Sequence, residues 1–364
     1  MPGVLTLADL NRATLARQML LAREKTTALR AVARLAGMQA QLPRPPFIGL
    51  WSRVEGFRAG DLARLAHDRK VVRATMMRGT LHLVTVKDYL DLRPALQPML
   101  SEGMQGVLGE RAQGIDLARV TATARALLDE EPRTFEDLRA ALGKAWPGLD
   151  VRALGYAVRT HLPLVLVPAE TPWGWPGAAA FAVAETWLGR KMGKGGGDAA
   201  LVPRYLAAFG PASVRDAQSW SGVRSLAGAF DALRPKLAVF RDEKGRELFD
   251  LPKAPRPPAS TPAPVRFLPD YDNLLLAHAD RARVVSDAHR ARLATKNLQI
   301  LPTFLVDGRV AGSWKIERTR RASALVVTVF DALARKAKAE LAEEGKALLR
   351  FAESDAQTAE VRFS

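Results

Sequence analysis

Residues 71–86 read VVRATMMRGTLHLVTV, two short runs of alternating apolar residues with Arg78 and Gly79 near the turn between them. Alternation is the period of a pleated strand, so this stretch predicts a two-stranded ribbon. Three helical patterns precede it. TLADLNRATLARQML (6–20) opens with Thr6 as N-cap and puts Leu10, Leu15 and Leu20 on one face. TTALRAVARLAGMQ (26–39) brings Leu29, Val32, Leu35 and Met38 together. The prolines of PRPP (43–46) end it, because proline lacks an amide donor and disfavours helix in the residue before it. A third helix is expected from Gly60 to His67. Three helices and a ribbon describe a winged helix.

The pattern recurs along the chain. DLARVTATARALLDE, TFEDLRAALGKAW (Thr134 as cap) and DVRALGYAVRT precede the strand LPLVLVPAE and a Trp173-Gly-Trp175 tip. GKGGGD (193–198) has the composition of a flexible linker and lacks the upstream glycine of a phosphate loop. DAALVPRYLAAFG, SVRDAQSWSG and VRSLAGAFDALRP then lead to a hairpin, LAVFRDEKGRELFDL, turning at Lys244-Gly245. After the proline-rich stretch 252–264, VRFLP, RVVS, TFLVDGRVAGSWKI and ALVVTVF read as strands, with Asp307-Gly308 as a hairpin signal, and KAKAELAEEGKALLRF as an amphipathic helix. The expected fold is α+β: winged helices over 1–105, 106–190 and 198–255, then a small β-barrel with helices over 262–364.

Lys and Arg number 54 against 38 Asp and Glu, a formal net charge of +16 over 364 residues. A polyanion is the first partner such a balance suggests, double-stranded DNA above all, although arginine also accumulates on surfaces without function. Residues 1–100 carry 16 basic against 7 acidic side chains, so the excess lies toward the N-terminal end. Zero cysteines exclude a disulfide scaffold, a thiol nucleophile and a thiolate zinc site. No metal and no cofactor are expected. MPGVLTLADLNR meets an acid at Asp9 before any long apolar run, and no window approaches the ~18 apolar residues of a membrane span. The expectation is a soluble, cytoplasmic monomer with no membrane partner.

Gln39 and Gln41 stand one residue apart in GMQAQLPRPP. In an extended segment i and i+2 point to the same side, so both amides could reach one ligand or water. Glutamines at a helix end also simply face water or cap backbone groups. MQAQ (38–41), RGTLHLV (78–84), FGPASVRDAQSWSG (209–222), FLPDYDNLLLAHADRARV (267–284) and VDGRVAGSW (306–314) together resemble the AlkZ-like winged-helix DNA glycosylases, related to the YcaQ-like branch. The resemblance runs from about residue 5 to 350.

That resemblance implies three tandem winged helices around a C-terminal β-barrel and a catalytic Gln-x-Gln, here Gln39 and Gln41; the YcaQ-like branch has Gln-x-Asp. It further implies removal of cationic alkylated purines and unhooking of certain interstrand crosslinks. The chemistry agrees with amides. A cationic purine leaves without a general acid, so a water must be positioned at an oxocarbenium-like sugar, and a glutamine oxygen could accept from that water. No lysine stands near the pair, the closest in sequence being Lys25, so water rather than an amine is the expected nucleophile.

Candidate DNA contacts are Arg44, Arg78, His82, Arg281, Arg283 and Arg309, the last on the Asp307-Gly308 hairpin that would lie beside the lesion. Several have structural alternatives: an internal ion-pair network around His278, Asp280, Arg281 and Arg283, and a satisfied core histidine at His82. Trp173 and Trp175 could stack on bases or cap a wing. Rival readings are a transcription regulator or nucleoid-associated factor without chemistry, and an interaction scaffold. Three non-identical units in one chain favour a monomer at a single locus over a dimer on a palindrome.

Overall fold

The alternating stretch forms an antiparallel pair in a computed structural model that describes residues 3–293 and 299–364. The chain begins with β1 (Val4–Leu5), α1 (Leu7–Arg17), α2 (Ala28–Arg34), β2 (Met38–Gln39), α3 (Pro45–Trp51), α4 (Ala59–His67), β3 (Val71–Thr75), β4 (Leu81–Thr85), α5 (Val86–Leu92) and α6 (Gln97–Leu108). It continues with α7 (Leu117–Glu130), α8 (Phe135–Ala145), α9 (Val151–His161), β5 (Leu164–Leu166), β6 (Phe181–Val183) and α10 (Ala184–Leu188). Next come α11 (Asp198–Phe209), α12 (Val214–Ser221), α13 (Ala227–Leu233), β7 (Ala238–Asp242) and β8 (Glu247–Asp250). The last part holds β9 (Arg266–Leu268), α14 (Asp287–Arg290), β10 (Thr303–Val306), β11 (Arg309–Arg318), β12 (Ala322–Val329), α15 (Arg335–Ala352) and β13 (Thr358–Phe363). The fold is α+β.

Thr6 and Thr134 cap α1 and α8, as their position before the periodic residues predicts. The prolines behave differently from expectation. α2 has already stopped at Arg34, and Pro45 and Pro46 open α3, where a missing amide hydrogen costs no intrahelical bond.

The first sheet runs β2-β4-β3-β5-β6, so strands from 1–105 and from 106–190 share one ladder. Alternate residues face two cores. Val71, Leu83, Leu164 and Leu166 pack with α2, α4 and α7 through α9, whereas Val72, Val84, Val165 and Ala182 pack with α5 and α11. Burial on both faces explains the unbroken apolar run LPLVLV. The glycine run is not a free linker: the Gly193 amide donates to the Leu90 carbonyl at 3.1 Å, and Gly195 lies against Pro94.

The second sheet is β1-β7-β8, and the third is β13-β12-β11-β10-β9. Among the described residues that third sheet is open, with β13 and β9 at its edges, so the expected barrel does not close. The reason is α15. Its Leu341, Leu348 and Leu349 fill the sheet face against Phe267, Phe304 and Leu325, the space that opposite strands would occupy in a barrel. β13 then returns parallel to β12. RVVS, expected as a strand, is a turn closed by the Val284 and Val285 amides on the Arg281 carbonyl. Among the described residues no helix is long and apolar enough to cross a membrane.

Candidate active site

β2 ends at Gln39 and Gln41 lies in the bend that follows, so the pair is not at the end of a helix. After α2 the chain reverses through Ala36 and Gly37, at φ +53° and +89°. A Cβ at Gly37 would overlap Val84, so this left-handed turn also needs the absence of a side chain. The turn delivers β2 to the edge of the first sheet, with Gln39 opposite His82 on β4. Arg73, buried on β3, donates from Nε to the Ala40 carbonyl at 2.8 Å and from Nη2 to the Gln41 carbonyl at 2.9 Å. The segment is clamped.

Both amide side chains are oriented by donors. Gln39, buried, accepts at Oε1 from Arg78 Nη2 at 2.7 Å; Gln41, exposed, accepts at Oε1 from the Leu81 amide at 3.0 Å. Guanidinium and backbone N–H groups only donate, so the atoms they meet must be oxygens. Each glutamine therefore turns its NH2 away from these anchors, and among the described residues neither nitrogen meets an acceptor. The carbonyl oxygen foreseen as the water's acceptor thus already accepts one hydrogen bond, which leaves it one further lone pair.

Arg78 owes its position to the tight turn after β3, at φ +56°, and its Nη1 also donates to the Trp220 carbonyl. Burial, then the charge of Arg281, brings Arg78 down to about 10, so it stays protonated at neutral pH. His82 is fully buried. Its Nδ1 faces the Thr80 carbonyl at 3.1 Å and must carry the hydrogen, leaving Nε2 toward Arg78 at 3.5 Å. Burial first, then Arg78, depresses His82 to about 3. Buried and neutral, His82 supports the site from behind and has no surface for a groove contact.

A small cavity of about 10 Å³, space for roughly one water, lies beside Gln39. Its far wall is the loop Pro269–Asn273 that follows β9. This loop is fixed by the buried Arg53–Asp272 pair at 2.9 Å and by Asn273 Nδ2 donating to the Gly37 carbonyl at 3.1 Å. Asp270 on that wall accepts from Gln299 Nε2 at 3.2 Å, and burial raises its carboxyl above the ordinary range. PDYDN lies inside the motif at 267–284, yet nothing in the sequence singles out Asp270, because its approach to Gln39 spans more than two hundred residues.

The other candidates separate. Arg283 is buried and donates to Thr14 Oγ1 and the Pro211 carbonyl, so it is spent inside the protein. Asp280 pairs with Arg246 at 2.9 Å, and His278 faces the Phe209 carbonyl at 3.0 Å from a fully buried position. That is the internal network. Arg281 differs: it is half-buried, its charge reaches Arg78, and its Nε has no hydrogen-bond partner among the described residues. Arg44 pairs with Glu353 at 2.7 Å and stacks over Trp173.

Arg309 is exposed, but the Asp307-Gly308 tip before it does not project. Arg12 pairs with Asp307, and Asn11 Nδ2 donates to the Gly308 carbonyl at 2.8 Å. The tip between β11 and β12 presents exposed Arg320 and Arg321, signalled in the sequence only by the run RTRR. Trp175 is buried and donates to the Leu166 carbonyl, while Trp173 packs on Phe47, so both are held against the protein.

The family described as "DNA glycosylase AlkZ-like" matches residues 32–351. A relative, the interstrand DNA cross-link repair glycosylase of Streptomyces sahachiroi, is 26% identical, with 86% of this chain and 88% of the relative covered. The solved structure of Streptomyces sahachiroi DNA glycosylase AlkZ superimposes with a TM-score of 0.78 at 21% identity, over 99% of this chain and 100% of that one, a likeness of fold.

Proposed function

The chain belongs to the AlkZ-like DNA glycosylases, and from that premise we propose that it is a monofunctional enzyme hydrolysing the N-glycosidic bond of cationic alkylated purines in double-stranded DNA. The observation that supports this most is the pair of oriented amides: Gln39 and Gln41 each expose an NH2 whose direction is set by a donor on the oxygen. Gln39 Nε2 holds the oxygen of the attacking water in the small cavity. Gln41 Nε2, at the surface, holds an acceptor atom of the extruded nucleotide. A purine already carrying positive charge leaves as a neutral base, so the site needs no acid to protonate it. No lysine lines the cavity, which suits attack by water. The relative's name extends the proposal to interstrand crosslinks.

The three helix-rich segments with their paired strands act as winged-helix units over 1–105, 106–190 and 198–255, with 262–364 supplying the loop that faces Gln39. Arg44, Arg281 and Arg309 contact phosphates, together with Arg320 and Arg321 on the projecting tip. Arg78 orients Gln39. The test is release of free base from a duplex carrying N7-methylguanine. Wild type should release it without strand cleavage, and Gln39→Ala should lower the rate by ~10²-fold while binding persists. Absence of release from both that duplex and a crosslinked one would overturn the reading.

A further inference from the structure

A water held by an amide NH2 is held through its oxygen and keeps both protons. An amide is too weakly basic to take a proton near neutrality, so another group must accept one as the water attacks. Two carboxylates line the cavity. Asp272 is committed: its Oδ1 accepts from Arg53 at 2.9 Å and from the Leu274 amide at 3.0 Å. Asp270 stands on the same wall with its own backbone amide and the neutral Gln299 amide, the latter at 3.2 Å, as donors, and among the described residues no cation lies within ion-pair distance of it.

We propose that Asp270 is the general base of this site, a conclusion that rests on the reading of Gln39 and Gln41 as its centre. The water oxygen bonds to C1′ of the nucleotide, and the C1′–N9 electron pair returns to the cationic purine, which departs neutral. One water proton passes to the Asp270 carboxylate. Atoms and charge balance without a further reactant. Gln39 aims the water, Asp270 takes its proton, and the cation supplies the leaving group.

The surroundings suit a base. Burial raises the Asp270 carboxyl above its ordinary value, and Arg44 only partly offsets this. A carboxylate with a raised pKa accepts a proton more readily. The other charged or titratable neighbours are Tyr271, whose own pKa is raised, and Arg53 neutralised by Asp272. Behind Gln39, Arg78 stays charged and His82 titrates at about 3, below the working range.

The experiment measures single-turnover release of 7-methylguanine from duplex between about pH 4.5 and 8, with DNA affinity followed by anisotropy. Wild type should show an acid limb approaching tenfold per pH unit, as expected when one group must be ionised. Asp270→Asn should be slower by ~10²-fold or more, lose that limb and keep its DNA affinity. A wild-type rate that is flat down to the acid end overturns the assignment without any variant, whether or not Asp270→Asn folds. Release that Gln39→Ala abolishes but Asp270→Asn leaves within about threefold overturns this proposal alone. Release that Gln39→Ala leaves intact overturns the parent reading and this one with it.

Discussion

Two polar clusters lie where the C-terminal region meets the rest of the chain, and they are built in opposite ways. Around His278 and Arg283, side-chain donors end on protein acceptors: Arg283 on Thr14 and Pro211, His278 on Phe209, and Asp216 receives the Ala279 amide at 2.9 Å. Around Gln39, the oxygens are satisfied and the nitrogens are not, and Asp270 faces a cavity instead of a cation. Buried polar groups cost stability unless partnered, so a closed network is what a core keeps. Spare hydrogen-bonding capacity beside a cavity is kept for something that enters it. Both clusters are rich in arginine and histidine, and composition alone does not separate them.

If the first cluster is structural, breaking it should cost the most. Arg283→Ala should lower unfolding stability by about 3 kcal/mol, since it strips a buried cation from the neighbourhood of buried Asp216. A urea midpoint unchanged from wild type would erase the contrast. The next effect is at the open cluster. Arg78→Ala frees the Gln39 amide to rotate and should slow excision by roughly 10²-fold at an unchanged melting temperature, as misplacement of a catalytic group does. Loss of fold instead of rate would show Arg78 to be a core residue like Arg283.

Each cluster also contains one buried neutral histidine, His82 and His278, both depressed from 6.5 to about 3 by burial first. The unfolded chain takes up these protons below 6.5 and the folded chain does not. Stability is therefore fully present above that value and is lost as pH falls toward 3. Going from pH 7 to 6 should remove about 1 kcal/mol, read by calorimetry, and His82→Gln should reduce the slope. A slope of the opposite sign would mean that the histidines are protonated in the fold.

The smallest effects concern the two hairpin tips. Arg320→Ala with Arg321→Ala should weaken DNA binding a few-fold and reduce the salt slope by about 1 for each phosphate left without its arginine. Arg309→Ala, beside a tip fastened to α1, should do less. Equal effects would mean that the fastened tip also reaches DNA.

Periodicity suffices to read most helices and the ribbons at 71–86, 238–250 and 303–316, because helix and strand each write a local period into the chain. Proline misleads when taken only as a terminator, since Pro45 and Pro46 form the first turn of α3. The parallel strand β13 and the turn at 283–286 escape a local reading for a common reason. β13 pairs with distant β12, and the turn, though closed locally on Arg281, is held by the distant Val310 amide on the Val284 carbonyl; no local pattern encodes a distant partner.

Gln39 and Gln41 stand out from two letters and their neighbours, and the basic charge points toward DNA. Those properties belong to residue types and short spacing, which the chain carries by itself. Which atom of each amide is free, whether an arginine is spent or available, and which carboxylate faces the glutamines were decided by packing. Hydrogen-bond orientation depends on Arg78 and Leu81 arriving from the β3–β4 turn, and Asp270 arrives from a loop beyond β9. Only the assembled fold puts Gln39 and Asp270 on the walls of one cavity, where electrostatics and hydrogen bonding act.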